Sequence, residues 1–121
     1  MERNIRRSVV VPSSSLEGKE YLAVGPDGAL TANTGDYVYG IVERGRPANE
    51  GSSVVVGGEC YAYVGEDVDA GDHLTGGANG KLMKARMSID FDNSTYTFDR
   101  HQAVALEDAS ANGLCRVLLL G

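Results

Sequence analysis

Two cysteines and two histidines are the side chains of this sequence best suited to covalent chemistry. Cys60 and Cys115 are the only cysteines, and His73 and His101 are the only histidines. A thiol beside an imidazole can act as an activated nucleophile. None of the four lies in a known catalytic motif, however, and both cysteines fall in predicted buried strands, where the charged thiolate is disfavoured. We therefore expect buried, reduced thiols and no enzyme active site.

Motifs for metals and cofactors are equally weak. The segment 90–94 (Asp-Phe-Asp-Asn-Ser) resembles the oxygen-rich opening of a calcium loop, but the later glycine and the closing glutamate of an EF-hand are missing. The 16 glycines form no Gly-x-Gly-x-x-Gly or Walker sequence, so nucleotide binding has no support. The sequence therefore predicts no metal and no cofactor, and it predicts a polar hairpin tip at 90–94.

The balance of charge argues against two classes of partner. The 121 residues include 17 acidic and 11 basic side chains, for a net charge of −6, which disfavours binding to nucleic-acid phosphates. No run approaches the ~18 apolar residues that a membrane helix needs. Three arginines, Arg3, Arg6 and Arg7, nevertheless precede an apolar triplet at 9–11. We expect this segment to dock on an acidic surface through its arginines. The triplet is too short for the core of a signal peptide, so no export signal is predicted.

The composition favours an all-β fold. Apolar residues make up 42% of the chain, and there are 16 glycines but only 3 prolines, which is typical of a soluble chain that turns often and forms few helices. Alternating or β-branched runs between turn residues predict about ten short strands. They are predicted at 21–24, 29–32, 37–42, 53–56, 59–64, 73–75, 81–85, 87–91 and 96–98, and an internal repeat adds a strand at 114–120. Asn79-Gly80 is the strongest hairpin signal.

An internal repeat decides how the C-terminal segment is interpreted. Residues 40–51, followed by strand 53–56, are echoed by residues 103–113, followed by 116–120, although the second copy also contains good helix formers. Pro47 would lie inside a helix in the first copy, where it would remove a hydrogen bond and clash with the preceding turn. Both copies are therefore predicted as strand, polar loop and strand, which makes the C-terminal segment a buried strand.

The chain has the length of one domain, and its first residues differ in character from the rest. Pro12 and three serines at 13–15 suit an extended linker. We therefore expect an extended N-terminal arm at 1–15 and a single β-rich domain at 16–121. The arginines and valines of the arm cannot bury one another, so the arm is expected to become ordered only against a neighbouring protein and to add little to the domain's stability.

One pair of motifs supports an alternative function. Ala-Gly-Asp at 70–72 followed by Leu-Met-Lys-Ala at 82–85 is similar to biotinyl or lipoyl carrier domains, in which the modified lysine lies at an exposed hairpin tip. In this sequence the tight turn is at 76–80, which places Lys84 within a strand. An unmodified, exposed lysine is the favoured interpretation, and a carrier domain of a multienzyme complex stays open as the alternative.

Four short motifs follow one another along the chain in an informative order. They are Gly-Ile-Val at 40–42 before a Pro-Ala-Asn-Glu-Gly loop, Val-Asp-Ala-Gly-Asp-His-Leu-Thr at 68–75, Ala-Asn-Gly-Lys-Leu at 78–82, and Ala-Val-Ala-Leu-Glu-Asp-Ala at 103–109 leading to Arg-Val-Leu-Leu at 116–119. In order and spacing these motifs resemble the small capsid cement proteins, or head decoration proteins, of tailed phages. The resemblance covers 37–121, with 86–100 as an insertion, and does not extend to the first fifteen residues.

The resemblance implies an all-β fold, either a small β-barrel or a β-sandwich of the β-tulip kind, and a structural role. A cement protein binds the outer surface of the phage major capsid protein shell and stabilises the head, as trimers at three-fold or quasi-three-fold positions. The implied partners are the major capsid protein, further copies of this chain (a homotrimer) and neighbouring decoration subunits. The implied location is the virion exterior, after synthesis in the host cytoplasm. The residues predicted to bind partners are Arg3, Arg6, Arg7, Val9, Val10, Val11, Pro47 and Asp69.

Overall fold

The computed structural model describes residues 5–90 and 92–120. They form ten β-strands and one 3₁₀ turn at Ala78–Gly80, with no α-helix in this part of the chain. The strands are β1 (Arg6–Val10), β2 (Ala23–Val24), β3 (Gly40–Arg44), β4 (Ser52–Tyr63), β5 (His73–Thr75), β6 (Met83–Lys84), β7 (Met87–Asp90), β8 (Thr95–Phe98), β9 (Ala103–Ala105) and β10 (Leu114–Leu119). Among the described residues there is no helix long and apolar enough to cross a membrane.

Eight of the strands form one curled, antiparallel sheet that makes half of a barrel. The strand order is β2-β3-β4-β10-β9-β5-β6, and β1 also pairs with β4. Strands β7 and β8 form a separate hairpin, as predicted around 92–94, with Met87 opposite Phe98; Phe91, predicted to extend the first of these strands, lies outside the described residues. The all-β, barrel-like fold expected from the sequence is confirmed.

Strand β4 has 12 residues and connects the two parts of the sheet. Its first half pairs with both β1 and β3, and its second half pairs with β10. Ala62 and, just beyond the strand, Val64 are fully buried, whereas Tyr61 is half exposed, because successive side chains of a strand point to opposite faces. The alternation predicted for 59–64 is confirmed, but the predicted bend at Gly57-Gly58 does not interrupt the strand.

Two groups of buried apolar side chains stabilise the sheet. The larger group includes Ile41, Leu74, Leu82 and Val117, each at most 1% exposed. The smaller group comprises Val10, Leu16, Val24, Val42 and Val54. Burial of one such aliphatic side chain stabilises the fold by about 1.5–3 kcal/mol. The smaller group therefore includes a residue, Val10, that precedes the predicted start of the domain.

The N-terminal segment is part of the sheet, which corrects the predicted division between an arm and a domain at residue 15. Strand β1 runs antiparallel to the first half of β4. Val10 is 4% exposed and Pro12 is fully buried. The first half of β4 pairs with β3 along one edge and with β1 along the other. Strand alternation turns the side chain of Val10 inward, whereas those of Val9 and Val11 face outward. The folded unit therefore includes residues 6–12.

Two local predictions also need correction. Strand β3 spans Gly40–Arg44 rather than 37–42, so the aromatic residues before it are not paired as a strand. Asn79-Gly80 does not form a two-residue hairpin turn. It belongs to a 3₁₀ turn within a longer connection between β5 and β6, where both residues have a positive φ, of 59° and 75°. This longer connection shortens the following strand to Met83–Lys84.

The internal repeat predicted from the sequence is confirmed. Strand β3 pairs with β4, and β9 pairs with β10, each as strand, loop and strand. The helix alternative for the C-terminal segment is therefore excluded. The register of the two hairpins is the same, because Val42 lies opposite Val54 and Ala105 lies opposite Val117.

Backbone hydrogen bonds extend this repeat beyond the two hairpins. The Asn49 N–H donates to the Pro12 carbonyl at 2.8 Å, and the Asn112 N–H donates to the Val64 carbonyl at 2.7 Å. Both asparagines have a φ of 65°. Pro12 and Val64 therefore occupy equivalent positions, and β1 corresponds to the second half of β4.

A second set of hydrogen bonds relates β2 to β5. The Tyr21 N–H donates to the Val42 carbonyl at 2.8 Å, and the Gly71 N–H donates to the Ala105 carbonyl at 2.7 Å. Tyr21 and Gly71 both have a positive φ, of 68° and 93°. We call residues 5–57 and 58–120 the first and second repeats. The β7–β8 hairpin has no counterpart in the first repeat.

Candidate interaction surface

Strand β1 and the residue that follows it, Val11, carry five of the eight residues predicted to bind a partner. Arg6 and Arg7 are exposed, and Val9 and Val11 are each 64% exposed. Val10, which was predicted with them, packs inside the chain's own core instead, because strand alternation turns it away from the surface. The structure therefore presents a basic start and two apolar side chains on the outer face of β1.

The second arginine of β1 is held in place by an ion pair. The Nε atom of Arg7 lies 2.9 Å from one carboxylate oxygen of Glu43, and the other oxygen accepts a hydrogen bond from the Ser53 hydroxyl at 3.0 Å. The hydrogen bond from Arg7 lowers the pKa of Glu43 and outweighs the opposing effect of partial burial. Exposed pairs of this kind contribute about 0–1 kcal/mol. Arg3, the third predicted arginine, lies outside the described residues.

One edge of β1 has no neighbouring strand in the described part of the chain. The Pro12 carbonyl faces β4, because it accepts a hydrogen bond from Asn49 in the loop before that strand. Backbone groups alternate in direction along a strand, so those of Val11 and Val9 face the opposite edge. An open strand edge flanked by exposed valines is a template for pairing with another chain.

Asp69 belongs to an acidic surface that follows β4. The segments 66–72 and 106–111, which we call the acidic loops, contain no basic residue. Their six carboxylates are Glu66, Asp67, Asp69, Asp72, Glu107 and Asp108. Hydrogen bonds from backbone N–H groups of the loops to the carboxylates of Asp67, Asp72 and Asp108 fix their shape. The side chain of Asp69 is exposed and adds to a concentrated negative charge.

Pro47 and Asp69 do not form one site. Pro47 lies in the loop before β4, whereas the acidic loops begin after it, and the 12 residues between extend over roughly 35 Å at ~3.3 Å per residue. Pro47 is partly buried and lies near the end of β1, since Asn49 of its loop is hydrogen-bonded to Pro12. The predicted contact residues therefore fall on two separate surfaces.

A groove of about 440 Å³ near the start of β1 was not predicted from the sequence. Its lining includes Tyr37, Tyr39, Arg100, His101 and Leu120. The Arg100 guanidinium lies 5.6 Å from the centre of the Tyr37 ring, and His101 stacks on His73 with ring centres 4.5 Å apart. The two histidines considered as catalytic bases thus pack against each other. The lining residues come from distant segments, so no local sequence pattern identifies them.

Both cysteines are free thiols. Cys115 is fully buried on β10, and Cys60 is partly buried on β4. Burial raises the pKa of both thiols. The pKa of Cys60 is raised to about 12, and the nearby Glu43 and Glu59 carboxylates add to the effect of burial on this thiol. A thiol whose pKa lies well above the ambient pH is a poor nucleophile. A Cys–His catalytic pair therefore has no support here.

We expect both thiols to react slowly with a thiol reagent at pH 8 in the native protein and quickly in denaturant. Raising a pKa from ~8.5 to about 12 reduces the thiolate fraction on the order of 10³-fold. Labelling followed by intact mass would measure both rates, and a Cys60→Ser variant would isolate Cys115. Rapid labelling of Cys115 in the native state would contradict its position in the core.

The remaining candidate sites receive little support. Residues 5–90 and 92–120 contain no group of three or more His, Cys, Asp or Glu side chains placed to bind a metal, and residues 92–94 form an exposed turn. Lys84 lies within β6, opposite Leu74 of β5. It is therefore not at the tip of its hairpin, where a carrier domain holds its modified lysine, and nothing in its position favours the carrier alternative.

The fold and these surfaces define a small, half-barrel β-domain with two internal repeats and an open strand edge. No protein-family model matches the sequence, and no curated protein matches it significantly. Among solved structures, the chain is similar to the crystal structure of the head fiber gp8.5 N base in bacteriophage phi29. That similarity covers 96% of this chain and 94% of that chain, with a TM-score of 0.61 and 16% sequence identity. At this identity it shows a shared fold.

Proposed function

We propose that this protein is an accessory structural protein of a phage head, a decoration protein that binds the outer surface of the major capsid protein shell and stabilises it. The observation that carries the proposal is the shared fold, over nearly the whole of both chains, with the base of a phage head fiber. The motifs that resemble cement proteins, at 40–42, 68–75 and 103–109, point independently to the same role. The proposed location is therefore the exterior of the virion.

The protein acts in this proposal as trimers at three-fold or quasi-three-fold positions of the shell. A contact that is weak for one copy is sufficient there, because a trimer engages several symmetry-related capsid subunits at once. The groove beside Tyr37 is a surface available for contacts with the capsid, whereas the acidic loops and the open edge of β1 are available for contacts between copies. The proposed role is mechanical and requires no catalytic group.

Removal of the protein from its capsids is the direct test. We expect depleted capsids to release DNA at a lower temperature than decorated ones, and purified protein to restore the higher temperature. Dye fluorescence during a heating ramp would measure the release, with an unrelated acidic protein of similar size as the control. Equal release temperatures with and without the protein, together with no binding to depleted capsids, would contradict the proposal.

A further inference from the structure

We infer that copies of this protein associate head to tail, with the loop around Gly71 of one copy docked on the outer edge of β1 of the next. The first repeat already makes the corresponding contact with the second repeat inside the chain, so the geometry of the contact exists within the molecule. The inference specifies the copy-to-copy contact of the proposed trimer. It rests on the self-association in that proposal and not on capsid binding.

The internal contact joins Tyr21 of the first repeat to Tyr63 of the second. The Tyr63 N–H, which faces away from β10, donates to the Tyr21 carbonyl at 2.9 Å, while the Tyr21 N–H donates to Val42. The two tyrosine rings meet edge to face with their centres 6.3 Å apart. A segment of the first repeat therefore covers the outer edge of a strand of the second repeat.

The equivalence of the repeats identifies the two groups that lack this contact. Val11 occupies the position in the first repeat that Tyr63 occupies in the second, and Gly71 is the counterpart of Tyr21. Gly71 also has a positive φ, and its N–H donates to the Ala105 carbonyl at 2.7 Å. Within the described residues, the Gly71 carbonyl and the Val11 N–H have no hydrogen-bond partner. A second copy of the chain would join these two groups in the same way.

Charge favours the same pairing. The acidic loops surround Gly71, whereas β1 carries two arginines. Residues 58–121 have 5 basic and 10 acidic side chains, a net charge of −5, against 6 basic and 7 acidic, a net charge of −1, for residues 1–57. By the equivalence of the repeats, Asp69 corresponds to Lys19 and Arg7 corresponds to Glu59, so the charge at each of these positions is reversed between the two repeats. The contact between copies would bring the acidic loops of one copy toward the arginines of β1 of the next.

The contact uses different surfaces on the two copies, so it is heterologous. Such a contact either closes into a ring or continues as an open chain. A ring of three copies would leave no β1 edge open and no Gly71 loop undocked, which agrees with the proposed trimer. It would also place the side chain of Val11, which is 64% exposed in a single copy, against the docked loop.

A Val11→Pro variant tests the contact at β1. Proline removes the outward N–H, and the ladder between β1 and β4 uses the opposite edge and is left in place. Val11→Thr is the matched control, because it keeps the N–H and the shape of the side chain. We expect the wild type and the Thr variant to form oligomers in sedimentation equilibrium, and the Pro variant to show at least a tenfold higher dissociation constant. A melting curve checks that the Pro variant is folded.

A mixing experiment tests the polarity of the contact. Asp69→Lys should weaken the contact from the side of the Gly71 loop, and Glu17→Lys is the control for the change in charge. A Val11→Pro copy has an intact Gly71 loop and an Asp69→Lys copy has an intact β1 edge, so the mixture should form a dimer and nothing larger. No dimer on mixing, or a folded Val11→Pro variant that assembles like the wild type, would overturn this contact.

The oligomeric state of the wild-type protein is the last test of the contact. If it is monomeric at every concentration measured, both free and eluted from capsids, the head-to-tail contact is wrong, and capsid binding stands or falls by the depletion experiment. If it is oligomeric but does not bind depleted capsids, the contact can be correct and the proposed capsid role is wrong. The two failures are therefore distinguished by separate measurements.

Discussion

Deletion of residues 1–11 is expected to lower the free energy of unfolding by about 3 kcal/mol or more. Val10 is 4% exposed within the smaller core group, and burial of a valine contributes about 1.5–3 kcal/mol. The deletion also removes the whole ladder between β1 and the first half of β4. Urea denaturation of the two proteins would measure the difference.

Two controls define which residues cause this loss. Deletion of residues 1–5 leaves β1 intact, since that strand begins at Arg6, and should change the free energy of unfolding by less than about 0.5 kcal/mol. Val10→Ala should account for about 1–3 kcal/mol of the larger loss. A melting temperature that is unchanged by the deletion of 1–11 would mean that the segment is a dispensable arm, as the sequence alone predicts.

The same deletion would be a poor test of partner binding. It removes the outer edge of β1 together with a strand of the fold, so weaker binding could follow from a damaged domain. Val11→Pro separates the two effects, because it removes the outward N–H and leaves the ladder between β1 and β4 in place. The distinction exists because Val10 and Val11 point to opposite faces of one strand.

Local sequence patterns predict a strand where its alternation of side chains is complete within a few neighbouring residues. The alternation at 59–64 identifies the second half of β4, because a half-buried strand requires a period of two. The C-terminal strand β10 was identified only through the internal repeat, because its local pattern is also compatible with a helix. Strand β1 was not recognised as part of the domain. Its partner lies some forty-five residues away along the chain, and Pro12 with the following serines has the composition of a linker. Pairing over that separation depends on the tertiary fold.

The internal repeat was recognised only where residue types are shared. Asn49 and Asn112 match in type and conformation, and the hairpins around them were found from the sequence. Tyr21 and Gly71 are equivalent in backbone geometry but not in side chain, so only the structure relates them. Prediction of the candidate interaction surface from the sequence was limited in the same way. The exposed valines at 9 and 11 were identified from the sequence, whereas the groove near Tyr37 combines distant segments and was not.

Gln102→Leu is expected to lower the free energy of unfolding by about 3 kcal/mol. The Gln102 side-chain carbonyl accepts the Val38 N–H at 2.6 Å, and its amide donates to the Asp36 carbonyl and the Thr75 hydroxyl, each at 2.8 Å. These bonds tie the start of β9 to β5 and to the segment before β3. Leucine is of similar size but leaves these hydrogen-bonding partners unpaired. Each partner that stays buried without a hydrogen bond lowers the stability by about 1–3 kcal/mol. Urea denaturation at pH 7 would measure the loss.

Gln102→Glu separates hydrogen bonding from packing at this position. The introduced carboxylate can accept the Val38 N–H but cannot donate to the Asp36 carbonyl, whereas its protonated form regains one donor. The fold should therefore favour the protonated form, so the deficit relative to wild type should shrink as the pH falls from 7 to 4. Glu43, Asp36 and Asp99 have lowered pKa values and lose their stabilising effect at low pH in both proteins, so their contributions cancel in the difference. A deficit that does not change with pH would show that packing, and not the hydrogen-bond network of Gln102, determines the loss.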